Sequence, residues 1–374
     1  MSRRASGLRD VDLNVTARCN LRCDFCSVAT RPVTQACDEL SLQEIERLLD
    51  DLDALGVYTA RLVGGEPFVR RDIDEIIALL GSHGFFSSVL TNATVMKRRH
   101  VERVRDCGVD VLAFSVDGHN ADLHDASRGK PRSFERLSAM IECCKELDVR
   151  HRMMTAVTSS TLPHLRELVR FAEQHEFELL NFIVLGLGAR ANGVPERFPT
   201  YGEWSRAIVG LTRYLAEQRH EVLVTLLFPH EDLVPVELYE PLAAAGLLPL
   251  LERVWRIPVP PVPPRWDAST CMAGHGTISI MPNGDVFGCD LMRELPQWCA
   301  GNVRQTPVAR IFRESPLFRR WREEPVIDGC TARSAESRDF SCAQCRAGRE
   351  HLNRGAVRWL AVAQATSEQV ASPA

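Results

Sequence analysis

Three cysteines fall within one short run, Cys19-Asn20-Leu21-Arg22-Cys23-Asp24-Phe25-Cys26. Thiolates at this spacing on a single loop can hold three corners of an iron–sulfur cube, whereas a ferredoxin-type cube takes four. The next cysteine, Cys37, lies eleven residues further on. An iron left without a protein ligand is open to a substrate or a cofactor. Zinc sites usually show two C-x2-C pairs, and an electron-transfer ferredoxin would bring a fourth thiolate, so both are the weaker readings of this run.

A second set lies towards the end of the chain. Cys271 and Cys289 flank Thr277–Met281, Pro282-Asn283-Gly284-Asp285 and Val286–Gly288, and Cys330 and Cys342-Ala343-Gln344-Cys345 follow. Asn-Gly between two apolar runs signals a hairpin. A hairpin that brings two thiols together, with a distant C-x2-C, makes a four-thiolate arrangement. Its spacing alone leaves zinc and an iron–sulfur cube open. Cys37, Cys107, Cys143, Cys144 and Cys299 read as ordinary buried or half-buried thiols.

Both sets need a scaffold. Between residues 10 and 190 short β-rich runs alternate with amphipathic ones. Strands are expected at Val11–Thr16, Ala60–Val63, Ser87–Leu90, Val111–Ser115, Arg152–Val157 and Leu179–Val184. Helices are expected at Leu42–Leu55, Ile73–His83, Val95–Cys107, Phe134–Leu147 and Leu165–His175. Such alternation argues for a parallel sheet, either an incomplete (β/α) barrel or a doubly wound sheet, with chemistry where strands end and loops begin. Tyr201–Gln218 reads as a helix, Val222–Leu227 as a strand and Val308–Glu323 as a helix. Pro258 to Pro264 holds five prolines in seven positions, a stiff spacer that marks a boundary. The chain divides into a core at 1–190, a connecting, substrate-side segment at 191–268, a cysteine-bearing extension at 269–360 and a flexible tail at 361–374.

Of the 374 residues, 45% are hydrophobic and 25% charged, which excludes a disordered or coiled-coil protein. The net charge of -4 gives no global basic field for nucleic acid. The first ten residues are polar, and Leu242–Leu251, the most apolar stretch, is too short to span a membrane. Thirteen cysteines, an odd number, without an export signal argue for reduced thiols and a cytoplasmic location.

C-x3-C-x2-C after a first strand, with Phe25 before the third cysteine, resembles the radical S-adenosylmethionine (SAM) superfamily. Gly64-Gly65-Glu66-Pro67, Thr91-Asn92-Ala93 and Ser115-Val116-Asp117-Gly118 resemble its further motifs, each after an expected strand, and Arg128-Gly129 follows. The second motif departs at Ala93, where the family has Gly. The resemblance covers nearly the whole chain and implies an α/β fold, a partial (β/α)6 barrel. It implies that Cys19, Cys23 and Cys26 hold a [4Fe–4S] cluster whose open iron is chelated by SAM. Gly64, Gly65 and Glu66 would hold the SAM amino group, and Thr91 and Asn92 would line the same site. Ser115 and Asp117 would stand on the ribose side, Arg128 near the carboxylate and Phe25 against the adenine. Reductive cleavage of SAM would give a 5′-deoxyadenosyl radical that takes a hydrogen atom from substrate, with a flavodoxin or ferredoxin as electron donor.

Cys271-Met272-Ala273-Gly274, the hairpin ending in Cys289, Gly301-Asn302-Val303 and Ile311-Phe312-Arg313 resemble the SPASM and twitch extensions of that superfamily. Arg333 stands where a further cysteine is expected, and none follows Cys345. The resemblance therefore implies one auxiliary [4Fe–4S] cluster on Cys271, Cys289, Cys342 and Cys345, within a β-hairpin-plus-helix extension. Cys330 competes as a ligand or, unbound, as a hydrogen-atom donor in an epimerisation. The single auxiliary cluster, and a cysteine loop already at residue 19 with no peptide-recognition domain before it, suggest oxidation or epimerisation of a small molecule. Modification of a ribosomally made peptide is the alternative, and a non-catalytic iron–sulfur or zinc protein is the remote one. His220, His230, Glu231, Asp232 and His275 are candidates for polar contacts on the substrate side.

Overall fold

Strand β1 (Asp10–Thr16) alternates Asp10, Asp12 and Asn14 with Val11, Leu13 and Val15. Alternation puts the two sets on opposite faces, and Val11, Leu13 and Val15 are buried in the main core. β1 pairs in parallel with β2 (Thr59–Gly64), and the pairing continues through β3 (Phe86–Thr91), β4 (Val111–Ser115), β5 (His151–Val157) and β6 (Leu179–Val184). A further parallel strand, β7 (Leu223–Leu227), joins β6. The computed structural model describes residues 7–23, 25–26, 38–184, 198–217, 219–227, 238–256, 272–293 and 296–323.

The connections are helical: α1 (Leu42–Ala54), α2 (Ile73–Gly81), α3 (Arg98–Asp106), α4 (Ala121–Arg128), α5 (Ser133–Glu146), α6 (Leu165–Gln174) and α7 (Tyr201–Glu217). Ser41 and Glu44 form a capping box at the start of α1, and Ile45, Leu48, Leu49 and Leu52 make its buried stripe. Two short helices, α8 (Glu240–Ala244) and α9 (Pro249–Trp255), divide the apolar stretch around Gly246, which has φ +68°. No described helix is long and apolar enough to cross a membrane.

The cysteine-bearing extension joins the same sheet. β8 (Thr277–Ile280) pairs in parallel with β1, and β9 (Asp285–Phe287) and β10 (Gly301–Asn302) continue antiparallel beyond it. The sheet has ten strands in the order β10-β9-β8-β1-β2-β3-β4-β5-β6-β7. The expected helix at Val308–Glu323 is two helices, α10 (Val308–Glu314) and α11 (Pro316–Glu323). Ser315 is extended, with ψ 125°, because the ring of Pro316 disfavours helical backbone at the residue before it.

Candidate active site

The chain leaves β1 at Thr16 and enters the cysteine run. That run is pinned by the turn after β2: Gly65 N–H donates to the Thr16 carbonyl and Glu66 N–H to the Arg18 carbonyl, each at 2.8 Å. A Cβ on Gly64 would lie 2.4 Å from the Thr16 oxygen, and one on Gly65 2.2 Å from that of Arg18. Only glycine admits this approach. The pair of glycines thus serves first to seat the cysteine loop.

Cys23 is buried, Cys19 and Cys26 are half-buried, and all three are free of disulfides. Burial pushes the Cys19 thiol up to about 12 and raises Cys23 as well. The protein alone therefore keeps them protonated, and a bound metal centre would supply the charge that ionises them. Among the described residues no three His, Cys, Asp or Glu side chains close on a single ion. Three cysteine thiols on one loop offer the soft donor set that an iron–sulfur cube takes.

Glu66 is fully buried. Its Oε1 accepts from Thr91 Oγ1 at 2.7 Å and Phe68 N–H at 3.2 Å, and its Oε2 accepts from Asn92 N–H at 2.7 Å. Burial raises its carboxyl to about 7, against the hydrogen bonds from Asn92, Thr91 and Phe68. Asn92 Nδ2 reaches Asn20 Oδ1 at 3.2 Å and Cys19 Sγ at 3.9 Å, tying the end of β3 to the cysteine run. Ala93, where the motif departs from Gly, keeps a left-handed φ of 63°.

Asp117 follows β4 and is fixed on both oxygens. Oδ1 accepts from Ala156 N–H at 3.0 Å, and Oδ2 accepts from Ser127 at 3.1 Å and pairs with Arg128 Nη2 at 2.8 Å. Arg128 Nη1 lies 3.8 Å from Cys23 Sγ, and its guanidinium stands 5.6 Å from the Phe25 ring centre. Asp117 N–H donates to His124 Nδ1 at 3.3 Å. The neutral ring then carries its proton on Nε2, and burial first, then the Arg128 charge, pushes His124 down to about 3. Ser115 ends β4 half-buried.

Of the second set, Cys289 is described and half-buried. Cys271, Cys330, Cys342 and Cys345 lie outside the described residues, as do His230, Glu231 and Asp232. His220 Nδ1 meets Glu173 on α6 at 2.8 Å, and His275 Nε2 meets the Trp321 carbonyl at 3.0 Å, so both are engaged in packing contacts.

Sequence reasoning missed a polar cluster on the face of the sheet that carries Asp12 and Asn14. Asn14 Nδ2 donates to Ser279 Oγ at 3.0 Å and to Asp290 Oδ1 at 2.9 Å, Ser279 also bonds Asp290, and Arg293 Nη1 lies 3.4 Å from Asp290 Oδ2. Beside it Arg61 pairs with Asp12 at 2.5 Å. Register places Ser279, Asp12, Arg61 and Ser88 in one row across β8, β1, β2 and β3. Ser115, Met154, Asn181 and Thr225 make a second row across β4 to β7. The signal was present in β1, since a parallel strand buried on both faces reads as a continuous apolar run and this one alternates. The face of β1 that carries Asp10, Asp12 and Asn14 is therefore a polar one, and the chain enters the cysteine run from the end of that strand.

Residues 13–172 match the family described as the radical SAM superfamily, and residues 271–346 match the SPASM domain, described as iron–sulfur cluster-binding. The AdoMet-dependent heme synthase of Oleidesulfovibrio alaskensis is 30% identical over 326 residues, 84% of this chain and 77% of that protein. The PqqA peptide cyclase of Rhizobium meliloti is 24% identical over 341 residues, 89% of this chain and 81% of that protein. In fold, Streptococcus suis SuiB bound to precursor peptide SuiA superposes with a TM-score of 0.67 at 17% identity, covering 85% of this chain and 67% of that one.

Proposed function

The chain belongs to the radical SAM superfamily and carries a C-terminal SPASM extension, and on that footing we propose that it modifies a ribosomally made peptide. When bound, the reduced [4Fe–4S] cluster and SAM supply a 5′-deoxyadenosyl radical that takes a hydrogen atom from the substrate, and the protein supplies position and shielding. Cys19, Cys23 and Cys26 would hold three of the irons. Glu66, aligned by Thr91 and Asn92, would accept the SAM ammonium, while Phe25, Ser115, Asp117 and Arg128 would line the rest of the cofactor. Cys271, Cys289, Cys342 and Cys345 would hold the auxiliary cluster, with Cys330 a spare ligand or hydrogen donor.

The observation that carries the chemistry is the meeting of three cysteine thiols outside any disulfide with a buried Glu66 and a buried Asp117–Arg128 pair at the ends of β1 to β4. The peptide is supported by likeness to a peptide cyclase along 89% of the chain. That support moves the reading away from a small metabolite. The heme synthase likeness, at 30% identity, favours a second reading in which the substrate is a heme precursor.

The test is anaerobic reconstitution with iron and sulfide, followed by SAM, dithionite and either a short peptide encoded beside the gene or an iron porphyrin. Release of 5′-deoxyadenosine with a mass change in the peptide is expected, and both should vanish in Cys19→Ala/Cys23→Ala/Cys26→Ala. Turnover of the porphyrin alone would replace the first reading by the second.

A further inference from the structure

Arg128 has more donor capacity than its ion pair uses. Nη2 meets Asp117 Oδ2 at 2.8 Å, Nη1 faces Cys23 Sγ at 3.8 Å, and Nε is buried with no partner among the described residues. The whole residue is 7% exposed, so solvent screens its charge little. Asp117 cannot swing away, because Ala156 N–H and the Ser127 hydroxyl hold its carboxylate. The guanidinium is therefore braced against one thiol of the cysteine run. The resemblance directs Arg128 to the SAM carboxylate, whereas here it faces a sulfur.

We infer that Arg128 sets the reduction potential of the cluster held by Cys19, Cys23 and Cys26, by donating an N–H to the Cys23 thiolate. The inference rests on the assignment of those three cysteines as cluster ligands. The step is a one-electron reduction: the cluster gains an electron from an external reductant, Arg128 keeps its proton, and no bond is broken. Added electron density on the sulfur strengthens a charge-assisted N–H···S contact, so the reduced form gains more than the oxidised form. Asp117, behind the guanidinium, cancels much of its charge at long range but leaves the short contact intact. Leu21 N–H at 3.4 Å and Asn92 Nδ2 at 3.9 Å approach Cys19 Sγ in the same way, but as neutral donors.

The experiment is an anaerobic dithionite titration of the reconstituted full chain, followed by electron paramagnetic resonance, on the native protein, Arg128→Gln and Arg128→Lys. Cys19→Ala/Cys23→Ala/Cys26→Ala, which lacks this site, gives the auxiliary cluster's titration alone for subtraction. Arg128→Gln is expected to lower the equilibrium constant for reduction about tenfold, equivalent to about 59 mV for a one-electron couple. Arg128→Lys should fall between it and the native protein, and the auxiliary signal should not move. Arg128→Lys keeps the charge and the Asp117 partner, so it serves as the test if the glutamine variant loads no iron. Unchanged potentials overturn the inference, including the case in which SAM affinity drops tenfold, which would assign Arg128 to the carboxylate instead. Undiminished iron in the triple cysteine variant would instead remove the ligand assignment beneath it.

Discussion

Asn14 donates to Asp290 at 2.9 Å across 276 residues of sequence. The bond joins the strand that leads into Cys19 to the residue that follows Cys289, so the ends of β1 and β9 share one part-buried polar cluster.

That cluster should be costly to break. Burial works against the Asp290 charge, but Arg293, Ser279 and Asn14 outweigh it and hold the carboxyl below its ordinary value. Asp290→Ala would remove the acceptor that Asn14 and Ser279 share and the carboxylate beside Arg293. A loss of roughly 1–2 kcal/mol is expected, because Asn14 and Ser279 are buried and lose an acceptor while the half-exposed Asp290 is screened by solvent in its pairing with Arg293. Urea unfolding of the metal-free protein checks it; a loss well under 1 kcal/mol would mean the cluster is wet and loosely coupled.

Glu66 gives a pH dependence of unusual sign for a carboxylate. Its folded value, about 7, lies above the ordinary 4.5 because of burial. Below the ordinary value both folded and unfolded states hold the proton, and there is no cost. Between the two values the folded state binds more protons, so stability falls as pH rises, and the full cost is reached above 7. The gap corresponds to at most ~3 kcal/mol. Metal-free native protein should therefore gain stability relative to Glu66→Gln as pH drops from 8 to 5, and parallel urea midpoints for the two would contradict this.

Ala93 has a φ of 63°. A side chain in that region costs about 1–2 kcal/mol, while glycine there loses about 0.5–1 kcal/mol through extra freedom of the unfolded chain. Ala93→Gly should thus raise stability by roughly 0.5–1 kcal/mol, read as a small increase in Tm, with Thr91 and Asn92 still holding Glu66. A lower Tm would mean that the methyl group packs well enough to repay its strain.

The parallel strands were legible because each is a short β-rich run followed by a helical pattern, and Val111–Ser115 and Leu179–Val184 appear with the expected bounds. Helix α4 was missed although Asn120 caps its start and Gly129, with φ +63°, ends it. Its single short turn-and-a-half of apolar pattern is too weak to read by periodicity. The joining of β8 to β1 was not legible at all, since a parallel pairing between distant segments leaves no local mark. The same limit hid Asn14, Ser279 and Asp290, whose partnership exists only once that pairing forms. Glu66 was found from its glycine neighbours, but its hydrogen bonds to Asn92 and Thr91 depend on the β2–β3 register.

Gly65→Ala tests whether the glycine pair seats the cysteine loop. The added Cβ would fall 2.2 Å from the Arg18 oxygen and 2.6 Å from its carbonyl carbon, both backbone atoms that no side-chain rotation can move aside. Relief requires the turn after β2 to retreat, which breaks the 2.8 Å bonds from Gly65 and Glu66 to the Thr16 and Arg18 carbonyls. The run from Cys19 to Cys26 then loses its register with Glu66 and Arg128, while the pairing of β8 with β9 is untouched. Iron in the reconstituted protein should fall from about 8 to about 4 per chain if each cube holds four irons, and SAM cleavage should be lost. Full iron with normal cleavage would show that the loop finds its place without the glycines.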